Sequence, residues 1–183
     1  MFRNLFTILF IFNFFQIYSQ DINWVTLEKA IELQKKNPKN IIMDVYTNWC
    51  GPCKLLDKNT FQNKDVSAYI NKHYYAVKFN AEGDSKVNYD GQLFTNPNFQ
   101  PEKIQRRNGT HELARYLNVS AYPTIIFMDK SSKLITFVRG YKTPQELELW
   151  LKLFKDEAYK SIKTQDEFNK HYESFVPEFS STK

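Results

Sequence analysis

Trp49-Cys50-Gly51-Pro52-Cys53-Lys54 contains both cysteines of this 183-residue chain, with two residues between them. The stretch follows the apolar run Ile41-Ile42-Met43-Asp44-Val45-Tyr46, which predicts a buried strand. It leads into Lys54-Leu55-Leu56-Asp57-Lys58, whose composition predicts a helix. The cysteines therefore lie where a strand turns into a helix.

This position favours thiol chemistry at the first cysteine. The first N–H groups of a helix lack partners within the helix, and the helix dipole is positive at that end. We therefore expect hydrogen bonds from these groups to lower the pKa of Cys50. Pro52 suits a first helical turn, and Gly51 permits close approach of a substrate. Cys53 follows one turn later, which gives the pair the nucleophile and the resolving thiol that disulfide exchange requires.

Two other uses of the cysteine pair are less favoured. A structural disulfide between residues three apart closes a very small loop and gains little stability. A zinc site needs two more ligands, and the chain offers only His73, His111 and His171, without a second cysteine pair. The sequence thus predicts a redox-active pair that needs no metal and no bound cofactor.

The motif and several residues around it resemble the thioredoxin family. Trp49-Cys50-Gly51-Pro52-Cys53 matches the active-site signature of that family residue for residue. The likeness runs from about residue 40 to 153 and includes a strand aspartate, a lysine on the next strand, a proline loop and a late glycine: Asp44, Lys78, Tyr122-Pro123-Thr124 and Gly140. The resemblance implies a thioredoxin-like α/β fold, with a mixed central sheet flanked by helices.

The resemblance also implies a role for each of four residues. Cys50 attacks a substrate disulfide, and Cys53 resolves the mixed disulfide that forms. Asp44, buried and with a raised pKa, exchanges a proton with Cys53. Lys78 is expected near Asp44, where it tunes that carboxyl group. The alternatives are an outward-facing Asp44 on an edge strand and a purely structural Lys78.

A cis-proline loop facing the cysteines is implied as well. A cis peptide before Pro123 presents the backbone of Tyr122 to an extended substrate, which can pair with it as an added strand. An ordinary trans turn is the alternative. The residues expected to contact substrate belong to the motif and to this loop: Trp49, Gly51, Pro52, Tyr122, Pro123 and Thr124.

Length and composition fit one folded domain. With 42% hydrophobic and 16% aromatic residues, the chain can bury a core. Its formal charge of +5 comes from lysines interspersed with acids, and no basic stripe with interleaved aromatics indicates nucleic-acid binding. We expect a monomer that acts on proteins containing disulfides or dithiols.

The first 20 residues differ from the rest of the chain. Arg3 is their only charged residue, and Leu5 to Ile17 is almost entirely apolar. This pattern predicts a secretory signal peptide over residues 1–20 and a mature domain over 21–183, exported to the periplasm or another extracytoplasmic compartment, with no membrane span after cleavage. An uncleaved anchor is the alternative, although the apolar run is shorter than the roughly 20 residues that span a bilayer.

Residues 82–109 form a polar, turn-rich insertion relative to small thioredoxins. A hairpin is expected within residues 87–94, around Asp90-Gly91. The insertion is expected to border the active site and shape substrate choice, and a surface loop without such a role is the alternative. Its expected contact residues are Tyr89, Phe94, Phe99, Arg106 and Arg107.

Three further predictions concern helices. The helix after the cysteines is expected to break at Asn59–Asn63, and Thr110 is expected to cap a helix over residues 111–117. Residues 156–183 form a C-terminal extension with a helix over 166–175, capped by Thr164. The side chains expected to pack this extension on the domain are Tyr172, Phe175 and Phe179.

The expected function is reduction of disulfides in exported proteins. The Gly-Pro pair between the cysteines resembles reducing members of the family, and Cys53–Phe61 resembles the exported thioredoxin-like domain of a transmembrane electron-carrying reductase. A reductase in an oxidising compartment needs an electron supplier, so the resemblance implies a membrane-bound donor. The alternatives are a disulfide oxidase or isomerase, and a peptide-binding or chaperone module without redox activity.

Overall fold

The computed structural model describes residues 21–181, so the predicted signal peptide lies outside the described residues. A five-stranded sheet has the order β1-β3-β2-β6-β7. Its strands are β1 (Trp24–Val25), β2 (Asn40–Tyr46), β3 (Tyr74–Asn80), β6 (Thr124–Met128) and β7 (Leu134–Arg139), and β4 (Val87–Tyr89) and β5 (Gln92–Phe94) form a separate hairpin. Strand β3 is parallel to β1 and β2, whereas β6 is antiparallel to both β2 and β7. This mixed sheet confirms the predicted fold class.

Within the described residues, six α-helices accompany the sheet. They are α1 (Leu27–Lys36), α2 (Gly51–Leu56), α3 (Lys64–His73), α4 (Glu112–Tyr116), α5 (Pro144–Lys155) and α6 (Gln165–Ser174). Four of them begin after a Thr or Asn whose side chain accepts a first-turn N–H: Thr26, Asn63, Thr143 and Thr164. Within residues 21–181, no helix has the length and apolar character needed to cross a membrane.

Alternate side chains of β2 enter two apolar layers, as the two-residue period of a strand requires. Ile41, Met43 and Val45 pack in the layer that includes α1 and α4. Ile42 packs in the layer that includes α2, α3 and α5. Asp44 lies two residues after Ile42 and so points to the layer that contains α2.

The helix after the cysteines ends at Phe61 and the helical path breaks at Gln62–Asn63, within the predicted range Asn59–Asn63, before α3 begins with Asn63 as its cap. Helix α2 continues into one turn of π-helix, Asp57–Phe61. The Thr60 hydroxyl donates to the Lys142 carbonyl at 2.5 Å, and Phe61 is 3% exposed in the apolar layer. These tertiary contacts hold the turn in a helical form despite its polar composition.

Hairpin β4–β5 forms around Asp90-Gly91, as predicted. Both turn residues have positive φ values, 51° and 77°, and such turns match the twist of two antiparallel strands. The expectation that Tyr89 and Phe94 contact substrate is wrong, because they are 7% and 2% exposed and pack in the core. The hairpin therefore extends the apolar layer next to α1.

His111, rather than the predicted Thr110, caps α4. Its Nδ1 accepts the Leu113 N–H at 3.1 Å, and its Nε2 lies 2.7 Å from the Ser85 carbonyl. The ring is fully buried beside Phe79. Histidine is an uncommon cap, and these tertiary contacts favour it over the hydroxyl one residue earlier.

The C-terminal extension packs on the layer of α3 and α5. Phe168 stacks on Trp150 with ring centroids 5.4 Å apart, and Phe179 lies 5.5 Å from Tyr69. The predicted packing role of Phe179 is confirmed, whereas that of Tyr172 is wrong, because Tyr172 is 56% exposed.

Glu148, on α5, binds the backbone near the end of this extension. The side chain is fully buried and lies 2.7 Å from the Lys152 ammonium group. Its oxygens accept the N–H groups of Glu178 and Phe179, at 2.8 Å each. Every charge-bearing atom of this carboxylate thus has a partner.

Candidate active site

Cys50 and Cys53 form a disulfide at the start of α2, with an S–S distance of 2.09 Å. Cys50 is the N-cap residue, and its Sγ accepts the Cys53 N–H at 3.1 Å. The two cysteines are 2% and 4% exposed, whereas Gly51 and Pro52 between them are exposed. The turn between the two cysteines is therefore exposed, whereas the cysteines themselves are buried.

Asp44 lies on β2, the strand that leads into the cysteine turn, and is 1% exposed. Its Oδ1 has no hydrogen-bond partner, and its Oδ2 lies 3.6 Å from the Lys78 ammonium group. Burial raises the pKa of Asp44 from its usual 3.8 to about 7, while the Lys78 charge opposes this rise. The edge-strand alternative is thus wrong, and Asp44 can gain or lose a proton near neutral pH.

Lys78 lies directly opposite Asp44 in the β2–β3 register and connects it to a second acid. Its ammonium group also contacts the Asp57 carboxylate. Asp57 follows Cys53 by one helical turn, and its N–H donates to the Cys53 carbonyl. The Asp57 side chain is 40% exposed, so this row of three charges leads from the buried carboxyl group to solvent.

Trp49, immediately before Cys50, is held on three sides. Its indole N–H donates to Glu82 at 2.7 Å. Its ring makes an edge contact with Tyr122 at 6.1 Å, and the Arg107 guanidinium group lies 5.0 Å from its centroid. The insertion therefore borders the cysteines, since Glu82 and Arg107 both belong to it.

The Tyr122–Pro123 peptide bond is cis. Tyr122 is partly buried, and burial together with the nearby Glu82 charge raises the pKa of its hydroxyl group. Thr124 is fully buried, and its hydroxyl donates to the Ala121 carbonyl at 2.8 Å. Thr124 therefore supports the loop instead of facing a substrate, which corrects its expected role.

Within residues 21–181, no group of three or more His, Cys, Asp or Glu side chains is arranged to hold a metal ion.

The sequence profile of the thioredoxin-like domain family matches residues 27–155. The chain belongs to the thioredoxin-like family. The match covers every element from α1 to α5, including the cysteine turn, Asp44 and the proline loop.

Curated relatives of this thioredoxin-like chain are named for thiol–disulfide chemistry. The thiol:disulfide interchange protein DsbD of Haemophilus ducreyi is 26% identical over 115 residues, which cover 62% of this chain and 16% of that protein. The thiol-disulfide oxidoreductase ResA of Bacillus thuringiensis is 27% identical over 142 residues, covering 75% of this chain and 78% of ResA. The match spans less than a quarter of DsbD. Both names describe thiol–disulfide chemistry, and this chain has a cysteine pair, Cys50 and Cys53, at the start of α2.

Solved structures share the fold at low identity. A thioredoxin-fold protein from Helicobacter pylori has a TM-score of 0.57 and 21% identity, covering 75% of this chain and 82% of that one. A thioredoxin from Thermus thermophilus has a TM-score of 0.54 and 14% identity, covering 74% and 88%.

The structure adds two residues, Asp57 and Glu82, to those predicted for the site, and it places the predicted Arg107 over the Trp49 ring. Asp57 could have been found from sequence, because it follows Cys53 by four residues on a predicted helix and so lies one turn away. Arg107 was predicted as a substrate contact, without its position over the indole ring. Glu82 carries no sequence signal, because only the folded insertion brings it to Trp49.

Proposed function

We propose that this chain reduces disulfides in exported proteins, through a cycle in which Cys50 and Cys53 alternate between dithiol and disulfide. The observation that carries the proposal is the Cys50–Cys53 disulfide at a helix start, with the Cys53 N–H directed at the Cys50 sulfur. In the reduced protein the same N–H can donate to a Cys50 thiolate, which favours the nucleophilic form.

The cycle conserves electrons and protons. The Cys50 thiolate attacks one sulfur of the substrate disulfide, forms a mixed disulfide and expels a substrate thiolate. The Cys53 thiol then loses its proton and attacks the Cys50 sulfur, which releases the second substrate thiolate. The substrate has gained two electrons and, from solvent and Cys53, two protons, while the protein retains the disulfide. A dithiol donor returns the two electrons.

Asp44 is proposed as the group that takes the proton from Cys53. With a pKa of about 7, its carboxylate can accept a proton near neutral pH and release it later. Its unpartnered Oδ1 leaves one oxygen available for this transfer. Lys78 is proposed to set the strength of this base, and Asp57 to link it to solvent.

Substrate contact is assigned to the surface around the sulfurs. The proposed contacts are Trp49, Gly51 and Pro52 of the cysteine turn with Tyr122 and Pro123 of the proline loop, and the ring contact between Trp49 and Tyr122 supports them. An extended segment beside Tyr122 can add as a strand. No bound cofactor takes part in this scheme, since the dithiol itself carries the electrons.

Export and the electron donor are the remaining parts of the proposal. Residues 1–20 have the charge and apolar pattern of a signal peptide, and two of the relatives bear the names DsbD and ResA. We assign the mature chain to the periplasm or a comparable compartment, with a membrane-bound dithiol donor. Sequencing of the secreted N-terminus tests this: cleavage after Ser19 or Gln20 is expected, and an intact leader in the membrane fraction contradicts it.

The reduction potential of the Cys50–Cys53 couple tests the direction of electron flow. Residues 21–183 are equilibrated with dithiothreitol or glutathione, and the thiols are counted after quenching. A value near about −270 mV fits a reductant. A value near about −120 mV points instead to disulfide formation. Peptide binding by Cys50→Ser, Cys53→Ser without any disulfide turnover by the unaltered protein would indicate a chaperone-like module.

A further inference from the structure

Residues 101–107 of the insertion form an exposed segment beside the cysteines. All seven residues are exposed, and they include Lys103, Arg106 and Arg107 against one acid, Glu102. The Ile104 side chain, in the middle of the segment, is 51% exposed. The segment therefore presents three cations around an accessible apolar side chain.

Two contacts fix this segment next to the disulfide. The Asn48 side-chain amide donates to the Ile104 carbonyl at 2.8 Å, and Arg107 lies over the Trp49 ring. Asn48 and Trp49 immediately precede Cys50 in the chain. A polypeptide that reaches the Cys50 sulfur thus passes within reach of these cations.

The three cations lack carboxylate partners in the part of the chain that the structure describes. None of Lys103, Arg106 and Arg107 forms an ion pair there, whereas other surface lysines do: Lys133 pairs with Asp90 at 2.9 Å and Lys152 with Glu178 at 2.6 Å. The Glu82 carboxylate contacts Trp49 and accepts two hydrogen bonds, one from the Trp49 indole N–H and one from the Asn108 N–H. Three cations, none of them held in an ion pair within residues 21–181, therefore face two acids in this neighbourhood, Glu82 and Glu102.

We propose that Lys103, Arg106 and Arg107 form a cationic rim that binds an acidic segment flanking the cysteine of the polypeptide substrate. This inference rests on the proposed reductase function and specifies its substrate class. Guanidinium groups bind carboxylates through paired hydrogen bonds, and unpaired charges beside a site speed the association of oppositely charged partners. Ile104 and the Trp49 ring supply the apolar contact between those charges.

The reaction arm of the test compares two disulfide-bridged peptides of equal length. One carries Asp and Glu beside each cysteine, and the other carries Asn and Gln. Fully reduced protein is mixed with each peptide, and the second-order rate constant of its oxidation is measured. We expect the acidic peptide to react ~10-fold faster at low salt and the ratio to approach one at about 0.5 M salt, because added ions screen exposed charges.

The variant Lys103→Gln, Arg106→Gln, Arg107→Gln should bring the ratio of the acidic to the neutral rate constant close to one, whatever change the loss of the Trp49 contact causes in the neutral rate. The double variant Lys103→Gln, Arg106→Gln keeps Arg107 over Trp49 and should remove part of the preference for the acidic peptide. The matched control Lys35→Gln, Lys36→Gln, Lys170→Gln loses the same charge from exposed positions outside the insertion and should keep the full preference. An unchanged ratio in the rim variant, or an equal loss in the control, overturns the proposal.

A binding arm separates this inference from the function on which it rests. The oxidised protein is titrated into fluorescent, cysteine-free acidic and neutral peptides, and anisotropy is recorded. Tighter binding of the acidic peptide by the unaltered protein, together with its loss in the rim variant, supports the cationic rim. If the protein then reduces neither disulfide-bridged peptide, only the reductase assignment is contradicted. Equal binding of both peptides by the unaltered protein overturns the rim.

Discussion

Asp44 and Glu148 are both buried carboxyl groups with a lysine nearby, and they differ in what surrounds their oxygens. Glu148 has an ion pair at 2.7 Å and backbone N–H donors on the C-terminal extension. Asp44 has one lysine at 3.6 Å and an oxygen without a partner. A fully bonded carboxylate is suited to hold structure together, whereas an under-bonded one keeps the freedom to exchange a proton.

The largest expected effect is on stability at Glu148. Glu148→Ala leaves Lys152 and two N–H groups without this partner, and breaking a buried pair costs about 4 kcal/mol. Urea denaturation of the oxidised protein measures the loss, with Glu173→Ala on the exposed face of α6 as the control. A change within about 0.5 kcal/mol, the usual range for a surface substitution, would contradict the structural role.

Asp44→Asn should affect catalysis instead. The amide cannot accept the Cys53 proton, so resolution of the mixed disulfide should slow by about 100-fold, within the usual range for loss of a general base. A quenched-flow assay that traps the mixed disulfide measures this step, while denaturation shows whether the variant remains as stable as the parent. An unchanged rate of resolution means that another group takes the proton.

The pH dependence of stability should come from Asp44. Because its pKa is raised from 3.8 to about 7, the folded protein holds a proton between these values that the unfolded chain has lost. Stability from this group is therefore full below about pH 4 and declines as pH rises through about 7. Between pH 5 and 8 the decline should be about 2.5 kcal/mol, and Asp44→Asn should abolish it. Equal slopes in both proteins would remove Asp44 as the source.

The smallest effects should come from the neighbours of Asp44, in opposite directions. The Lys78 charge lowers the pKa of Asp44 and the Asp57 charge raises it. Lys78→Met should therefore move the pH at which resolution accelerates upward, and Asp57→Asn should move it downward. A pH–rate profile of each variant measures the shifts. Shifts of the same sign would show that these residues act through packing and not through their charge.

Much of the fold follows from the sequence, because local pattern and burial agree there. A few neighbouring residues are enough to predict several elements: strand β2, the helix caps Thr143 and Thr164, and the turn at Asp90-Gly91. The π-helical turn at Asp57–Phe61 cannot be predicted in this way, because contacts with residues distant in the sequence decide its conformation. The same holds for the cap of α4, where a buried histidine replaces the expected threonine.

The site divides in the same way. The cysteines, Asp44, Lys78 and Pro123 lie in or beside motifs that sequence alone can single out. The surroundings of Trp49 depend on the path of the insertion, which brings Glu82 and Arg107 together from positions 25 residues apart. Such a contact has no local periodicity, so sequence predicts the chemistry of this site better than the surface around it.

Hydrogen bonds between Thr95 and Glu112 join the ends of the loop that carries residues 101–107. The Glu112 N–H donates to the Thr95 carbonyl at 2.9 Å, and the Thr95 N–H donates to the Glu112 carboxylate at 2.8 Å. Thr95 follows β5 and Glu112 begins α4, and both elements pack in the core, so the loop leaves and rejoins the domain at one place. A loop whose two ends meet in this way can change in length or charge without moving the strands of the sheet, and its contacts with Asn48 and Trp49 are the ones that such a change alters.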